Sequence, residues 1–217
     1  MQGNLNDMLV RAVVFFVPFL FALCFHEYAH GWVARRRGDN TALMMGRLTM
    51  NPLVHMDLVG TLILPLIAIL NPGLGIFFGW AKPVPVNERN LRNPRVDMFW
   101  IALAGPASNL LLATVSAVLL FLSAKFLVTT PYFSALREFI TTFIYINLFL
   151  AVFNAIPLHP LDGGKILARF LPPSVNDKLE QNEHISGLIL LGLILLGFTA
   201  VLVIPVKMLY GLLTFWI

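Results

Sequence analysis

Polar residues thin out in four long stretches of the chain. Apolar runs extend from about Leu9 to Ala34, Met98 to Ala124, Phe139 to Leu158 and Ile185 to Val206. Each is close to the roughly 20 residues a helix needs to cross the hydrocarbon core of a bilayer, so the pattern predicts four secure membrane spans. A fifth apolar run, Leu58 to Leu70, is shorter, with Pro65 inside it and Asn71-Pro72-Gly73 at its end. The loop before it carries Arg35, Arg36, Arg37 and Arg47, and the loop after it Lys82, Arg89, Arg92 and Arg95. Basic loops face the cytoplasm, which puts both ends of the 58–80 region on one side. The expectation is a re-entrant or short fifth membrane segment that returns through Gly73, Gly75 and Gly79. Lys165, Arg169 and Lys178 make the 159–184 loop cytoplasmic as well, and both chain ends then fall outside the cytoplasm. The short alternating stretches at 46–50 and 82–86 predict a small membrane-edge β-hairpin, the second demoted to an edge by Pro83 and Pro85.

Composition agrees with the pattern. Hydrophobic residues make up 58% of the 217 and charged residues 12%, with a mean hydropathy of +0.81, far from the soluble balance. The fold class is an all-α polytopic membrane protein, a helical bundle in the lipid bilayer. The first run continues to Ala34 and ends in three arginines, which argues against a cleaved signal peptide. Cys24 is the single cysteine, so there is neither a disulfide framework nor a multi-cysteine metal site. The net charge of +4 resides mainly in the cytoplasmic loops and calls for no nucleic-acid partner. Repeats are absent, and the loops are too short to fold as separate modules. Residues 1–217 are therefore expected to form a single domain.

Within the first span lies "CFHEYAH", residues 24 to 30. Ionisable groups at such depth cost several kcal/mol or more and mark function. On a helix, His26 and His30 stand one turn apart on one face. They are placed to bind one metal ion, with Glu27 beside it as general base. The alternative is a pair of hydrogen-bonded interior histidines. A catalytic zinc site takes three protein ligands and leaves the fourth position to water. The candidates for the third include His55, His159, His184, Asp57, Asp162 and Asp177. Asp162 in "NAIPLHPLDGG" (154–164) is the choice, because Pro157 and Pro160 break the helix there and irregular backbone at membrane depth belongs beside a wet cavity. Asp162 also reads as an N-cap for a helix starting at Gly163.

These residues resemble the site-2 protease family of intramembrane zinc metalloproteases, in a compact form. The resemblance covers three separated motifs and most of the chain. It implies one Zn2+ per chain on His26, His30 and Asp162, with Glu27 as catalytic base. It implies that Asn154 helps hold the substrate or the oxyanion. It also matches "GPASN", residues Gly105, Pro106 and Asn109, to the motif of the family's central helix. Asn109 reads equally as a packing residue among Ala102, Gly105 and Ser108. Many relatives carry a PDZ or CBS module, which this chain is expected to lack. Lys165 stands where relatives often have Arg. His159 is a less usual addition, either a polar loop residue or a gate or partner of the site.

The implied activity is hydrolysis of peptide bonds in or near transmembrane segments of membrane proteins. His26 lies about nine residues from Arg35, hence on the order of 13 Å below the cytoplasmic edge, so water should enter from that side. A strand at 46–50 could hold an unwound substrate by edge addition, with Arg47 and Asn51 as substrate-binding candidates or ordinary interfacial groups. The location expected is a plasma membrane, a prokaryotic inner membrane, with the active site open to the cytoplasm. A metal or proton transporter and an inactive scaffold are the competing classes. Transport would survive Glu27→Gln, and a scaffold would have no chemical need for Glu27.

Overall fold

The computed structural model describes residues 5–70 and 79–216. Three long helices form its centre: α1 (Leu5–Arg37), α5 (Pro94–Leu127) and α6 (Phe133–Asn154). All three are long and apolar enough to cross a membrane. Between α1 and α5 run α2 (Thr41–Met44), α3 (Pro52–His55), a π-helical stretch Leu58–Ile63 that continues into α4 (Leu64–Leu70), and a 3-10 turn Glu88–Asn90. After α6 come α7 (Asp162–Ala168), α8 (Pro173–Gln181), α9 (Glu183–Leu195) and α10 (Thr199–Thr214).

Small residues let the long helices approach closely. Ala113 and Ala117 of α5 are one turn apart and fully buried against Ile144 and Leu148 of α6, with Val206 of α10 closing the cluster. Without a hydrophobic drive between helices in lipid, such close packing is what joins them. A second cluster ties Phe19, Ala22 and Leu23 of α1 to Ile146 and Leu150 of α6. On the outer side of α5, Leu111, Val115 and Leu119 are exposed, as befits a face turned to acyl chains.

The fourth span differs from expectation. Instead of one helix over Ile185–Val206, α9 and α10 meet at a break bent by 80°. Gly197 causes it, with φ of +85°. The Phe198 N–H donates to Leu193 O and the Gly197 N–H to Ile194 O, which is the Schellman arrangement that ends a helix. Three unbroken candidate spans and one bent pair therefore replace four unbroken spans. The third span also moves: α6 begins at Phe133 rather than Phe139, and it stops at Asn154 because Pro157 cannot continue the ladder.

The ends of the 58–80 region do come together. The Trp80 N–H donates to Gly60 O, the Thr61 hydroxyl to Trp80 O, and the Lys82 N–H to His55 O. The approach is close: a Cβ on Gly60 would lie 2.4 Å from the Trp80 ring. The expected turn at Gly73 and Gly75 lies outside the described residues. The β-hairpin is not found, since the described residues include no strand. Residues 46–50 are turn and bend, and 82–86 run irregularly, with Pro83 and Pro85 lacking ladder donors.

Asp39, fully buried in the loop after α1, joins the two basic loops. It accepts from the Asn87 N–H at 2.8 Å, from Asn90 Nδ2 at 2.8 Å, and from the main chain and hydroxyl of Thr41. Burial works against its charge. The hydrogen bonds from Thr41, Asn90 and Asn87 prevail and hold the carboxyl below its ordinary 3.8.

Candidate active site

Helix α1 carries His26, Glu27 and His30, all buried among apolar neighbours. Asp162 reaches them because the chain reverses sharply after α6. Pro157 and Pro160 interrupt the helix, and Leu161 N–H bonds to Leu158 O to form a turn. Helix α7 then starts against the end of α6. A Cβ on Gly163 would lie 2.2 Å from Ile156 O, and one on Gly164 2.8 Å from His159 N. Only glycine permits this approach. Helix α7 begins at Asp162 itself, and no side chain caps it, so the N-cap reading of Asp162 is corrected.

The three side chains converge. His26 Nε2 and His30 Nε2 are 3.0 Å apart, and Asp162 Oδ2 lies 3.1 Å from the first and 3.3 Å from the second. Their protonation is fixed from behind. His30 Nδ1 is 2.6 Å from Ile101 O, a carbonyl that only accepts, so this nitrogen carries the hydrogen. His26 Nδ1 is 2.6 Å from Asn109 Oδ1. The orientation of that amide is set by Asn109 Nδ2, which donates to Ala22 O at 3.3 Å and to Asn147 Oδ1 at 2.9 Å. Asn147 is oriented in turn by its donation to Phe143 O at 2.9 Å. A relay of two fully buried amides on α6 and α5 thus leaves His26 Nδ1 as a donor.

In the neutral form in which histidine binds metals, with Nδ1 carrying the hydrogen, each imidazole turns the lone pair of Nε2 toward the other and toward a carboxylate oxygen. Asp162 Oδ2 is buried, and the two Nε2 atoms are what it faces. Three acceptors facing one another at such distances repel unless a cation lies between them. Bonds of ~2.0 Å at tetrahedral angles separate ligand atoms by about 3.3 Å, close to the triangle formed here. The donor set of two imidazoles and one carboxylate suits zinc. His26, His30 and Asp162 are the cluster among the described residues that could hold a metal ion. Gly105 makes room for it: a Cβ there would lie 2.5 Å from His30 Nε2 and 2.6 Å from His26 Cε1.

A cavity of about 520 Å³ opens onto this triangle. Glu27, Asn154 and Lys165 line it, Trp80, Ala81, Pro83, Val84 and Val86 cover one side and α9 another. The Val84 N–H donates to Glu27 Oε2 at 2.8 Å, a tether that Oε1 does not share. Asn154 Nδ2 donates one hydrogen to Leu150 O at 3.0 Å. Asn109 does not line the cavity and touches His26 instead. Arg47 and Asn51 stand apart. The Arg47 guanidinium is engaged by Lys82 O at 2.7 Å and Pro83 O at 3.3 Å, and Asn51 Oδ1 caps α3 through the Leu53 N–H. Among the other third-ligand candidates, His55 faces Thr49 O and Asp57 caps the π-helical stretch. Sequence reasoning missed Asn147, Val84 and Ile101. Only Asn147 gave a signal, as a polar residue within an apolar span.

Comparisons with known proteins find relatives of this chain. The model of the family described as Peptidase family M50 matches residues 14–135 and 129–198. YwhC of Bacillus subtilis is 38% identical over 177 residues, covering 81% of this chain and 77% of its own length. Rip2 of Mycolicibacterium smegmatis is 31% identical over 176 residues, covering 81% of this chain and 64% of its own. Each is named a "Putative zinc metalloprotease". No solved structure matches the chain.

Proposed function

This chain belongs to peptidase family M50, and from that premise we propose that it is a zinc metalloprotease cutting transmembrane proteins in or near their membrane segments. The observation that carries the reading is the convergence of His26, His30 and Asp162 on one point beside Glu27 and a cavity. It is a multi-pass membrane protein, and the reading places it in a plasma membrane with the cleft watered from the cytoplasm.

His26 and His30 would hold the ion through Nε2 and Asp162 through Oδ2. Zinc, when bound, supplies Lewis acidity, polarising a carbonyl and bringing the pKa of water toward about 7. Glu27 takes the proton from the attacking water and passes it to the leaving amine. The Val84 N–H fixes one Glu27 oxygen and so aims the other. Asn154 has a second amide hydrogen beyond the one given to Leu150 O, and would donate it to the developing oxyanion, an effect worth about 3 kcal/mol. Asn109 and Asn147 act through His26 as positioning residues. The scissile segment must lie unwound in the cavity, because an intact helix shields its carbonyls.

Two measurements test the reading. Detergent-purified protein is expected to carry one zinc per chain, lost in His26→Ala and Asp162→Ala. A single-span test substrate is expected to be cut by the wild type and left intact by Glu27→Gln, which keeps its zinc. Metal-free wild type, or cleavage that survives Glu27→Gln, would overturn it.

A further inference from the structure

A second cavity, of about 440 Å³, adjoins the first and shares Met98 and Lys165 with it. Four carboxylates line it: Glu88 from the 3-10 turn, Asp177 and Glu180 from α8, and Glu183 from α9. The chain has 11 acidic residues against 15 lysines and arginines, so finding four around one space runs against its charge balance. None of the four forms a salt bridge among the described residues. Arg95, one of two cations on the lining, donates to Leu171 O instead.

Two further atoms on this lining point to what it takes. His159 is 5% exposed and its Nε2 has no hydrogen-bond partner. Asn176 Oδ1 is likewise buried without one. The Asn176 amide cannot be turned around, because its Nδ2 donates to Glu180 Oε1 at 2.7 Å. Its oxygen is therefore an acceptor lacking a donor. The large majority of buried polar side-chain atoms are hydrogen-bonded, and an excess of carboxylates beside an unmet acceptor selects a cation bearing N–H groups.

We propose that this cavity receives the basic flank of the substrate, the Lys and Arg side chains that follow its membrane segment on the cytoplasmic side. The inference rests on the protease reading above. Membrane proteins carry excess Lys and Arg on that side, and a chain lying in the first cavity passes into the second across Met98 and Lys165. The enzyme's own loops, with Arg35, Arg36, Arg37, Arg89 and Arg92, would repel such a flank elsewhere. The carboxylates of Asp177, Glu180 and Glu183 give it one place to settle.

The test uses two fluorescently labelled single-span substrates that differ only in a cytoplasmic Lys-Arg-Lys or Gln-Asn-Gln flank. Binding to the full-length Glu27→Gln protein in detergent is read by anisotropy, and cleavage by the wild type is read in parallel. The Lys-Arg-Lys flank is expected to bind roughly tenfold more tightly, the sum of three exposed charge pairs, with a preference that shrinks as salt rises. Asp177→Asn, Glu180→Gln and Glu183→Gln combined should erase the preference. Asp177→Lys with Glu180→Lys should turn it toward a Glu-rich flank. Equal binding of the two flanks, no binding of either, or a preference untouched by the triple substitution would each overturn the proposal. Flank-dependent binding without cleavage by the wild type would instead overturn the protease reading and leave the cavity's assignment standing.

Discussion

Gly105→Ala puts a single methyl group where the two imidazoles meet. Its Cβ would lie 2.5 Å from His30 Cε1 and Nε2 and 2.6 Å from His26 Cε1. Contacts under 3.0 Å are essentially never made by a real Cβ, so the rings must withdraw by about half an ångström. Metal ligands tolerate displacements of only about 0.2 Å. His30 has no path of retreat, because its Nδ1 is held by Ile101 O at 2.6 Å on the far side. The expected result is loss of the ion with the helices still packed. Disturbing groups that merely orient ligands costs about 10- to 100-fold in metal affinity, and moving the ligands themselves should cost about 100-fold or more. Competition of the purified variant against a zinc-binding dye reads the affinity, and thermal unfolding of the metal-free protein reads the packing. Gly211→Ala, whose Cβ would meet nothing within 4 Å, serves as the control. Wild-type zinc affinity in Gly105→Ala would refute the convergence of the two rings on a shared ion.

Asn147→Ala takes away the acceptor that orients Asn109 and should weaken zinc binding about tenfold. An unchanged affinity would mean that the amide relay does not act on His26. Asp39 gives a pH dependence whose sign follows from its lowered folded value. Its contribution is complete above the ordinary 3.8 and is lost as pH falls through the lower folded value. Acid unfolding followed by circular dichroism should therefore show the wild type losing more stability below pH 3.8 than Asp39→Asn, and parallel curves would contradict it. Gly197→Ala has open space around its Cβ but a φ of +85°, so it should destabilise by about 1 to 2 kcal/mol from backbone strain alone. Gly192→Ala, inside α9 with equally open space, should stabilise through helix propensity. Melting-point shifts of the same sign in both would rule out this account of the bend.

The convergence of His26, His30 and Asp162 was legible in the sequence where its geometry is local. His26 and His30 share a helix face by spacing alone, and Asp162 betrayed itself by the prolines and glycines that bracket a reversal of the chain. The 80° break was not legible, because hydropathy sums over Ile185–Val206 ignore the one glycine whose φ turns the path. The hairpin at 46–50 failed for a related reason: alternation suggested strands, but prolines at 83 and 85 leave the partner without donors. Asn109 was readable as important, yet not its direction. Only the position of Asn147, on another helix, shows that Asn109 faces the back of His26. Arg47 has a charge that suggested a substrate, and the fold turns it toward the carbonyls of Lys82 and Pro83.

The tether on Glu27 has a consequence for how such a site drifts over generations. The donor is the main-chain N–H of Val84, which any residue except proline supplies equally well. The carbonyl of Ile101 serves His30 in the same way. The contacts that hold Glu27 and His30 are thus independent of the side chains at the positions providing them. Those positions are free to vary in identity while remaining indispensable in place, held by path rather than by letter. A survey of variation would score Val84 and Ile101 as ordinary apolar sites. An insertion or deletion of one residue between Ala81 and Val86 would be far more damaging than any single exchange there that leaves the N–H at 84 in place.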